Sequence, residues 1–171
     1  MRDLPKARSA DPRRDTERVD VEIVSLADEV IAALRTEAGD RGISLERNGP
    51  APVIVAGVRV SLSRLILALT VNALDHASSR VVLTVTAHEN QARIEVSDDG
   101  PGFSQGAARV AFERFASSRP VDVDAPGPRH YGLGLALVAE VAHRHDGSVV
   151  IVDTGDVGAL VRVSLPRSST K

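Results

Sequence analysis

The sequence contains no cysteine and no tryptophan among its 171 residues, and only three phenylalanines and one tyrosine. The absence of cysteine excludes a disulfide framework and a metal site built on thiolates, and it is compatible with a reducing cytoplasm. Apolar residues make up 43% of the chain but aromatic residues only 2%. We therefore expect one domain whose core is built from valine, leucine, isoleucine and alanine.

The sequence also lacks an excess of charge of either sign. Its 21 basic and 23 acidic residues are scattered and give a formal net charge of −2. Because general nucleic-acid binders gather basic residues in a patch or stripe, this distribution argues against a nucleic-acid partner. No stretch approaches the roughly 18 apolar residues of a membrane span, and we expect no signal peptide before the fold. We expect no membrane contact by this domain, and any anchor of a parent protein to lie outside this chain.

Hydrophobic periodicity divides the chain into a leader and one domain. Residues 1–18 mix charges of both signs with two prolines and show no periodicity, and we interpret them as a flexible leader or linker remnant before a domain at residues 19–171. Helical spacing of apolar residues predicts helices at 25–38, 60–77 and 134–145, with a short helical piece at 107–115. Alternating or β-branched segments predict strands at 43–47, 53–55, 81–87, 92–97, 149–152 and 160–165.

The order of these elements indicates the fold class. Helices alternate with strands that are mostly joined as hairpins, which favours an α+β fold over a doubly wound parallel sheet. We expect a two-layer α/β sandwich, with a mixed and mostly antiparallel sheet covered on one face by helices. Residues 116–130 contain three prolines and almost no periodicity, and an irregular loop of this length in a compact domain is usually functional or mobile.

Three motifs follow one another in an order that indicates a nucleotide site. Residues 71–74 (Val-Asn-Ala-Leu) place an amide near the end of an apolar helix, where its oxygen could hold a metal. Residues 98–103 (Asp-Asp-Gly-Pro-Gly-Phe) place a carboxylate on a tight turn after a strand. Residues 131–137 (Tyr-Gly-Leu-Gly-Leu-Ala-Leu) open a helix whose free amides can meet phosphate. Each motif alone also fits an ordinary turn or helix end, so their order and spacing carry the interpretation.

With these motifs the sequence resembles the ATP-binding catalytic domain of bacterial sensor histidine kinases, in the superfamily that also includes gyrase, the heat-shock chaperones and the mismatch-repair ATPases. The resemblance extends over about residues 19–166. Five segments carry it in the family's order: residues 72–73 (second half of the N box), 98–102 (first glycine box), 112–115 (Phe-Glu-Arg-Phe, the F box), 132–135 (second glycine box), and 145–147 with 158–159 (the closing glycine segment).

The resemblance implies a Bergerat-type nucleotide site that binds ATP and Mg²⁺. The Asp98 carboxylate would accept a hydrogen bond from the exocyclic amine of adenine, which excludes guanine because a carbonyl there would face the carboxylate. Asn72 would coordinate the Mg²⁺ ion that bridges the phosphates, since magnesium prefers a few hard oxygen ligands. We expect the ATP-binding residues to be Asn72, Asp75, His76, Asp98, Gly100, Gly102, Phe103, Arg114, Tyr131, Gly132, Leu133, Gly134 and Leu135.

Several of these residues have a second interpretation. The resemblance implies that residues 116–131 form a lid over the nucleotide, with Phe112 and Phe115 as its hinge contacts or as plain core residues. Arg114 either approaches the phosphates or lies on a solvated helix surface. His76 could stack on adenine. We expect the two histidines at 143 and 145 to be surface or helix-end residues, because no third metal ligand accompanies them.

Three positions depart from the family's pattern. Ala68 replaces the first Asn of the N box, Asp75 replaces a usual basic residue, and Ala159 replaces a usual Thr that can contact adenine through water. A carboxylate repels phosphate unless it reaches the metal or turns to solvent. Gyrase-like ATPases carry a Glu at the position of Ala68, and because an alanine cannot act as a general base, we expect no efficient ATP hydrolysis.

The resemblance implies a cytoplasmic catalytic domain of a two-component sensor kinase. Such a domain positions Mg-ATP for transfer of the γ-phosphoryl group to a histidine on a separate dimerisation domain, and the response regulator is an indirect partner. No helix with such an acceptor is recognisable here, so we expect a monomeric domain that does not autophosphorylate alone. Two alternatives stay open: an anti-sigma-type serine kinase, against which Ala68 argues, and a degenerate interaction module of the same fold that binds no nucleotide, which Ala68 and Asp75 favour.

Overall fold

The computed structural model describes residues 17–49, 52–102, 133–152 and 158–168. Within these residues the chain forms three helices, α1 (Ile23–Asp40), α2 (Arg59–His76) and α3 (Leu133–Arg144). The strands are β1 (Val19–Glu22), β2 (Ser44–Asn48), β3 (Ile54–Gly57), β4 (Arg80–His88), β5 (Gln91–Asp98), β6 (Ser148–Val152) and β7 (Ala159–Pro166).

Five of the strands form one mixed sheet in the order β2-β4-β5-β7-β6. The β2/β4 pair is parallel, and the other three neighbouring pairs are antiparallel. The strands β1 and β3 form a separate antiparallel ribbon, in which Val21 lies opposite Val55. The predicted sandwich with a mixed, mostly antiparallel sheet is therefore confirmed.

The core lies between one face of the sheet and the helices. On β4 the alternate residues Val81, Leu83 and Val85 are fully buried, as expected for a strand with one face against the core. The central helix α2 packs against both α1 and α3, and its buried residues are aliphatic apart from Thr70 and Asn72. Among the helices that the structure describes, none is long and apolar enough to span a membrane.

The predicted elements agree with the described ones to within about two residues at each end. The ribbon strand β1 is the exception, since the sequence analysis predicted no strand at residues 19–22. Its pairing with β3 connects segments more than 30 residues apart, and the two alternating valines of β1 alone gave a weak signal. The predicted short helix at 107–115 and the lid at 116–131 lie outside the described residues.

The boundary of the leader stays a prediction, because residues 1–16 lie outside the described part. Arg18, the last residue assigned to the leader, contacts the domain. Its guanidinium donates to the backbone carbonyl of Arg144 and lies 3.2 Å from the carboxylate of Asp146, at the end of α3. Both side chains of this ion pair are largely exposed, so it contributes little to stability.

The side chain of Glu22 joins the ribbon to the start of α1. Its carboxylate accepts hydrogen bonds from the amides of Val24 (3.0 Å) and Ser25 (2.7 Å), and so caps the helix N-terminus. It also accepts the amide of Val53 at 3.0 Å. Burial raises the pKa of Glu22, but the hydrogen bonds from the Ser25 hydroxyl and from the backbone amides outweigh it and lower that pKa to about 2.

We expect Glu22→Ala to lower the free energy of unfolding by about 1 kcal/mol at pH 7, the usual cost of replacing a helix N-cap residue by alanine. Because the pKa of Glu22 is lower in the folded chain than its ordinary value of 4.5, its stabilisation is complete above pH 4.5 and is lost as the pH falls toward 2. Urea unfolding of both chains between pH 7 and pH 3 measures this. A difference that stays constant with pH would contradict the assignment.

Candidate functional site

Asp98 is the last residue of β5, and the sheet directs its side chain toward the helices. It continues the alternation of the buried residues Ile94 and Val96, and it lies opposite Val81 on β4 and Ala159 on β7. Residues directly opposite each other on neighbouring strands have Cβ atoms about 4.5–5.5 Å apart. The Asp98 carboxylate therefore lies between two apolar side chains at the end of the sheet.

The surroundings of Asp98 raise the pKa of its carboxyl group. Burial raises the pKa of Asp98, the hydrogen bond from the Gly100 amide to its Oδ1 (2.9 Å) acts in the opposite direction, and the nearby charge of Asp99 raises the pKa further. The net effect is a pKa above the usual aspartate value. A perturbed carboxyl group next to a glycine turn is typical of a functional site.

The turn after Asp98 approaches its neighbours too closely for side chains. A Cβ on Gly100 would lie 2.1 Å from the carbonyl oxygen of His76, the last residue of α2. Gly102 has φ +75°, and a Cβ there would lie 2.6 Å from the carbonyl oxygen of Gly158. The Gly158 amide in turn donates to the Gly100 carbonyl at 2.9 Å. Both predicted glycines are thus required by backbone contacts around Asp98.

Asn72 is buried on α2, one turn before the end of the helix. Its Oδ1 atom is buried and has no hydrogen-bond partner among the described residues. A buried amide oxygen without a partner costs about 1–3 kcal/mol, so it is a candidate ligand for a cation. The amide oxygen also belongs to the hard oxygen donors that Mg²⁺ prefers, and the residue therefore fits the metal implied by the sequence.

The start of α3 lies against the same region of α2. Ala68 is four residues before Asn72 and therefore on the same side of α2. Its carbonyl oxygen is 3.8 Å from the place where a Cβ on Gly134 would be. The first amides of a helix have no partner within the helix, which makes this end of α3 suitable for an anion. The Leu135 side chain is fully buried in the core, so only its backbone is available to a ligand.

The predicted site residues Asp75 and His76 lie at the end of α2. Asp75 forms an ion pair with Arg41 at the end of α1, with 2.8 Å between Oδ1 and the nearest guanidinium nitrogen. Arg41 also pairs with Glu37. The pairing occupies the Asp75 carboxylate, and its role toward a nucleotide stays a prediction. His76 is partly buried, beside the glycine turn.

Four of the predicted ATP-binding residues lie outside the described residues, and their roles stay predictions: Phe103, Arg114, Tyr131 and Gly132. Of Leu133 the structure describes only its place as the first residue of α3. Asn72, His76, Asp98, Gly100, Gly102 and Gly134 belong to the neighbouring ends of β5, α2 and α3.

The hydrogen bonds of Asp99 were not predicted from the sequence. Its Oδ1 accepts hydrogen bonds from the amides of Ser78, Ser79 and Arg80, each at 2.9 Å, and its Oδ2 accepts the Ser79 hydroxyl at 2.5 Å. These contacts, the Ser79 hydroxyl first, hold the pKa of Asp99 far below its usual range. The only sequence signal was an acidic residue next to the motif and a pair of serines about 20 residues earlier.

His145 was expected at a helix end, and it lies directly after α3, where it is buried. Its Nε2 accepts the Val58 amide at 3.1 Å, and its Nδ1 donates to the carbonyl of Val141 at 2.7 Å. The ring therefore joins the end of α3 to the start of α2. His143 is exposed, and no cluster of three or more metal-ligating side chains occurs in the described ranges.

The sequence is similar to proteins that are named sensor histidine kinases. Sensor histidine kinase MtrB of Mycolicibacterium paratuberculosis is 34% identical over 151 residues, which is 85% of this chain and 26% of MtrB. Sensor histidine kinase component HK1 of Mycobacterium tuberculosis is 36% identical over 105 residues, which is 61% of this chain and 60% of that protein. The chain therefore spans less than two thirds of either relative.

Solved structures show the same fold. The mycobacterial sensor histidine kinase MprB has a TM-score of 0.71 at 23% identity, with 89% of this chain and all of that chain covered. Full-length ShkA in complex with AMPPNP has a TM-score of 0.73 at 22% identity, with 91% of this chain and 32% of that chain covered.

A family model matches most of the domain. The family described as histidine kinase-, DNA gyrase B-, and HSP90-like ATPase matches residues 57–169, about two thirds of the chain. This range includes α2 with Asn72, the end of β5 with Asp98, and the start of α3. The chain belongs to the histidine kinase-, DNA gyrase B- and HSP90-like ATPase family.

Proposed function

We propose that this chain is the ATP-binding catalytic domain of a two-component sensor histidine kinase. It positions Mg-ATP for transfer of the γ-phosphoryl group to a histidine on a separate dimerisation domain. The observation that carries the proposal is the partly buried Asp98 carboxylate, held at the sheet end beside a glycine turn that admits no side chains. The curated relatives named as sensor histidine kinases support this class over the other members of the family.

Asp98 provides the adenine contact. One of its oxygens accepts the Gly100 amide, and an ionised carboxylate has acceptor capacity for further hydrogen bonds. The exocyclic amine of adenine is a donor, whereas guanine presents a carbonyl at the same position. The methyl side chain of Ala159, across from Asp98, adds an apolar wall and no competing hydrogen-bond donor.

Asn72 and the start of α3 provide the phosphate end. The unpartnered Asn72 amide oxygen would hold Mg²⁺, which neutralises the negative charge of the phosphates when it is bound. The start of α3 at Leu133–Gly134 favours an anion through its free amides and the helix dipole. In this proposal the chain binds and orients the nucleotide, and the acceptor histidine comes from another domain.

The proposal includes the setting of the domain. We infer that it acts in the cytoplasm as part of a membrane-anchored sensor and is monomeric by itself. Its direct partner is the histidine-containing dimerisation domain of the same kinase, and the response regulator is reached through that domain. The names of the relatives support this setting.

The competing proposal is a degenerate module that keeps the fold without binding nucleotide. Two observations favour it: Ala68 offers no polar group beside Asn72, and Asp75 is engaged by Arg41. Calorimetric titration with an ATP analogue decides between the two, because only the kinase domain has an Asp98-dependent affinity for ATP.

We expect Asp98→Asn to weaken strongly the binding of a non-hydrolysable ATP analogue, since the amide presents a donor where the adenine amine needs an acceptor. A loss on the order of a hundredfold follows when a buried site is left with mismatched polar groups. Calorimetric titration with the analogue and Mg²⁺ measures it. Glu95→Gln, on the same strand but in an ion pair with Arg162, is the matched control and should bind as the original chain does. Equal affinities of the Asp98→Asn variant and the original chain would contradict the adenine role.

We expect Asn72→Ala to remove the magnesium dependence of binding. The original chain should bind the analogue more tightly with Mg²⁺ than with EDTA, and the variant should bind with the same, weaker affinity in both, because the amide oxygen that holds the ion is gone. The same calorimetric titration in the two buffers measures the ratio. Thr70→Ala removes another buried polar residue of α2 and serves as the control. Retained magnesium dependence in Asn72→Ala would contradict the metal assignment.

We expect the isolated chain to hydrolyse ATP no faster than its Asp98→Asn variant. Ala68 lies next to the start of α3, and its methyl side chain cannot act as a general base to activate water. Phosphate release from Mg-ATP, followed with a colorimetric assay, tests this. Steady hydrolysis that disappears in Asp98→Asn would instead place the chain with the gyrase-like ATPases.

A further inference from the structure

We propose that Asp99 is a positioning residue of the nucleotide site. Its carboxylate holds Asp98 and the glycine turn at a fixed distance from the end of α2, and so determines nucleotide affinity without touching the nucleotide. This inference rests on the proposed function, since it concerns the geometry of the same site.

Both oxygens of the Asp99 carboxylate accept hydrogen bonds from residues 78–80 of the chain. Three consecutive amides, those of residues 78–80, converge on Oδ1, and the Ser79 hydroxyl donates to Oδ2. Three of the four donors belong to Ser78 and Ser79 in the connection between α2 and β4, and the fourth is the amide of Arg80, the first residue of β4. Both oxygens of Asp99 are thus occupied by residues 78–80. Of the two neighbouring aspartates, Asp98 is therefore the one whose carboxylate can contact a ligand.

The connection that Asp99 holds is a junction of three elements. It follows the end of α2 at His76, it leads into β4 at Arg80, and the Ser79 carbonyl accepts the amide of Ser44 at the start of β2 (2.8 Å). The backbone amide of Asp99 also donates to the Arg80 carbonyl at 3.2 Å. The residue therefore attaches the end of β5 to this junction by both its backbone and its side chain.

The consequence for the site follows from the chain order. Asp98 precedes Asp99 directly, and Gly100 follows it with its backbone against the His76 carbonyl. The other proposed ligand group, Asn72, lies one turn earlier on α2. Asp98 binds the base and Asn72 the phosphate end, so the contact between Asp99 and residues 78–80 sets the spacing between the two. Catalytic and binding groups misplaced by about 1 Å can lose on the order of a hundredfold in efficiency.

A graded series of variants tests the proposal. Asp99→Ala removes all four side-chain hydrogen bonds, Asp99→Asn keeps an oxygen for the three amides, and Ser79→Ala removes only the contact to Oδ2. Glu22→Ala is the matched control, because it removes a carboxylate that also accepts backbone amides, but at the start of α1. This helix is about 27 Å long, and it is its other end, at Arg41, that contacts the end of α2. Affinity for the non-hydrolysable ATP analogue with Mg²⁺ is measured by calorimetry below the unfolding temperature of every variant.

We expect Asp99→Ala to lower affinity by about tenfold or more, Ser79→Ala by about threefold, and Asp99→Asn by less than threefold, because the amide oxygen restores most of the geometry. Glu22→Ala should unfold at a lower temperature with unchanged affinity. Full affinity in Asp99→Ala would overturn the proposal, and the proposed function would stand if Asp98→Asn still bound the analogue on the order of a hundredfold more weakly than the original chain. If Asp99→Ala does not fold, full affinity in Ser79→Ala overturns it equally.

Amide hydrogen exchange in the ligand-free chain provides a readout independent of nucleotide. The Gly100 amide donates to Asp98 Oδ1, so loosening of the turn should speed its exchange in Asp99→Ala by at least about tenfold, with little change in Asp99→Asn. Absence of nucleotide binding by the original chain would contradict the proposed function. Unchanged exchange of Gly100 in Asp99→Ala would contradict the positioning role itself.

Discussion

The close approach of the Gly100 backbone to the His76 carbonyl is the constraint on which the arrangement of the site depends. Because no side chain fits between them, the turn after β5 rests directly on the end of α2. The same glycine accepts a hydrogen bond from Gly158, which precedes β7. One backbone segment thus connects the sheet, α2 and the start of β7, and the Asp98 carboxylate occupies a defined place among them.

The core and the site use different chemistry. The described core is aliphatic, and the chain compensates for its few aromatic residues with many β-branched and leucine side chains. The buried polar side chains Thr70 and His145 have hydrogen-bond partners, at the Ile66 carbonyl for the first and at two backbone groups for the second. The Asn72 amide oxygen differs, since it has no partner within the described residues. Burial of such a group is costly for folding alone and is consistent with a ligand site.

The sequence predicted most of the elements because their signals are local. Aliphatic residues at helical spacing marked the three described helices, and alternating or β-branched segments marked six of the seven strands. The strand β1 was missed, since its partner β3 is distant in the chain and four residues carry little periodicity. For the site, the motifs identified Asp98, Gly100 and Asn72, and the structure places these residues at neighbouring ends of β5 and α2.

By itself the sequence determined the fold class and the family, and it predicted residues for adenine, metal and phosphate, because helical and strand periodicities and short motifs act over a few neighbouring residues. Only the tertiary structure decided how these groups are held. The four hydrogen bonds to Asp99, the pairing of Asp75 with Arg41 and the hydrogen bond from the Val53 amide to Glu22 join residues 19 to 34 positions apart. Such contacts depend on how helices and strands pack, and no local pattern of residue types specifies which carboxylate will meet which amide.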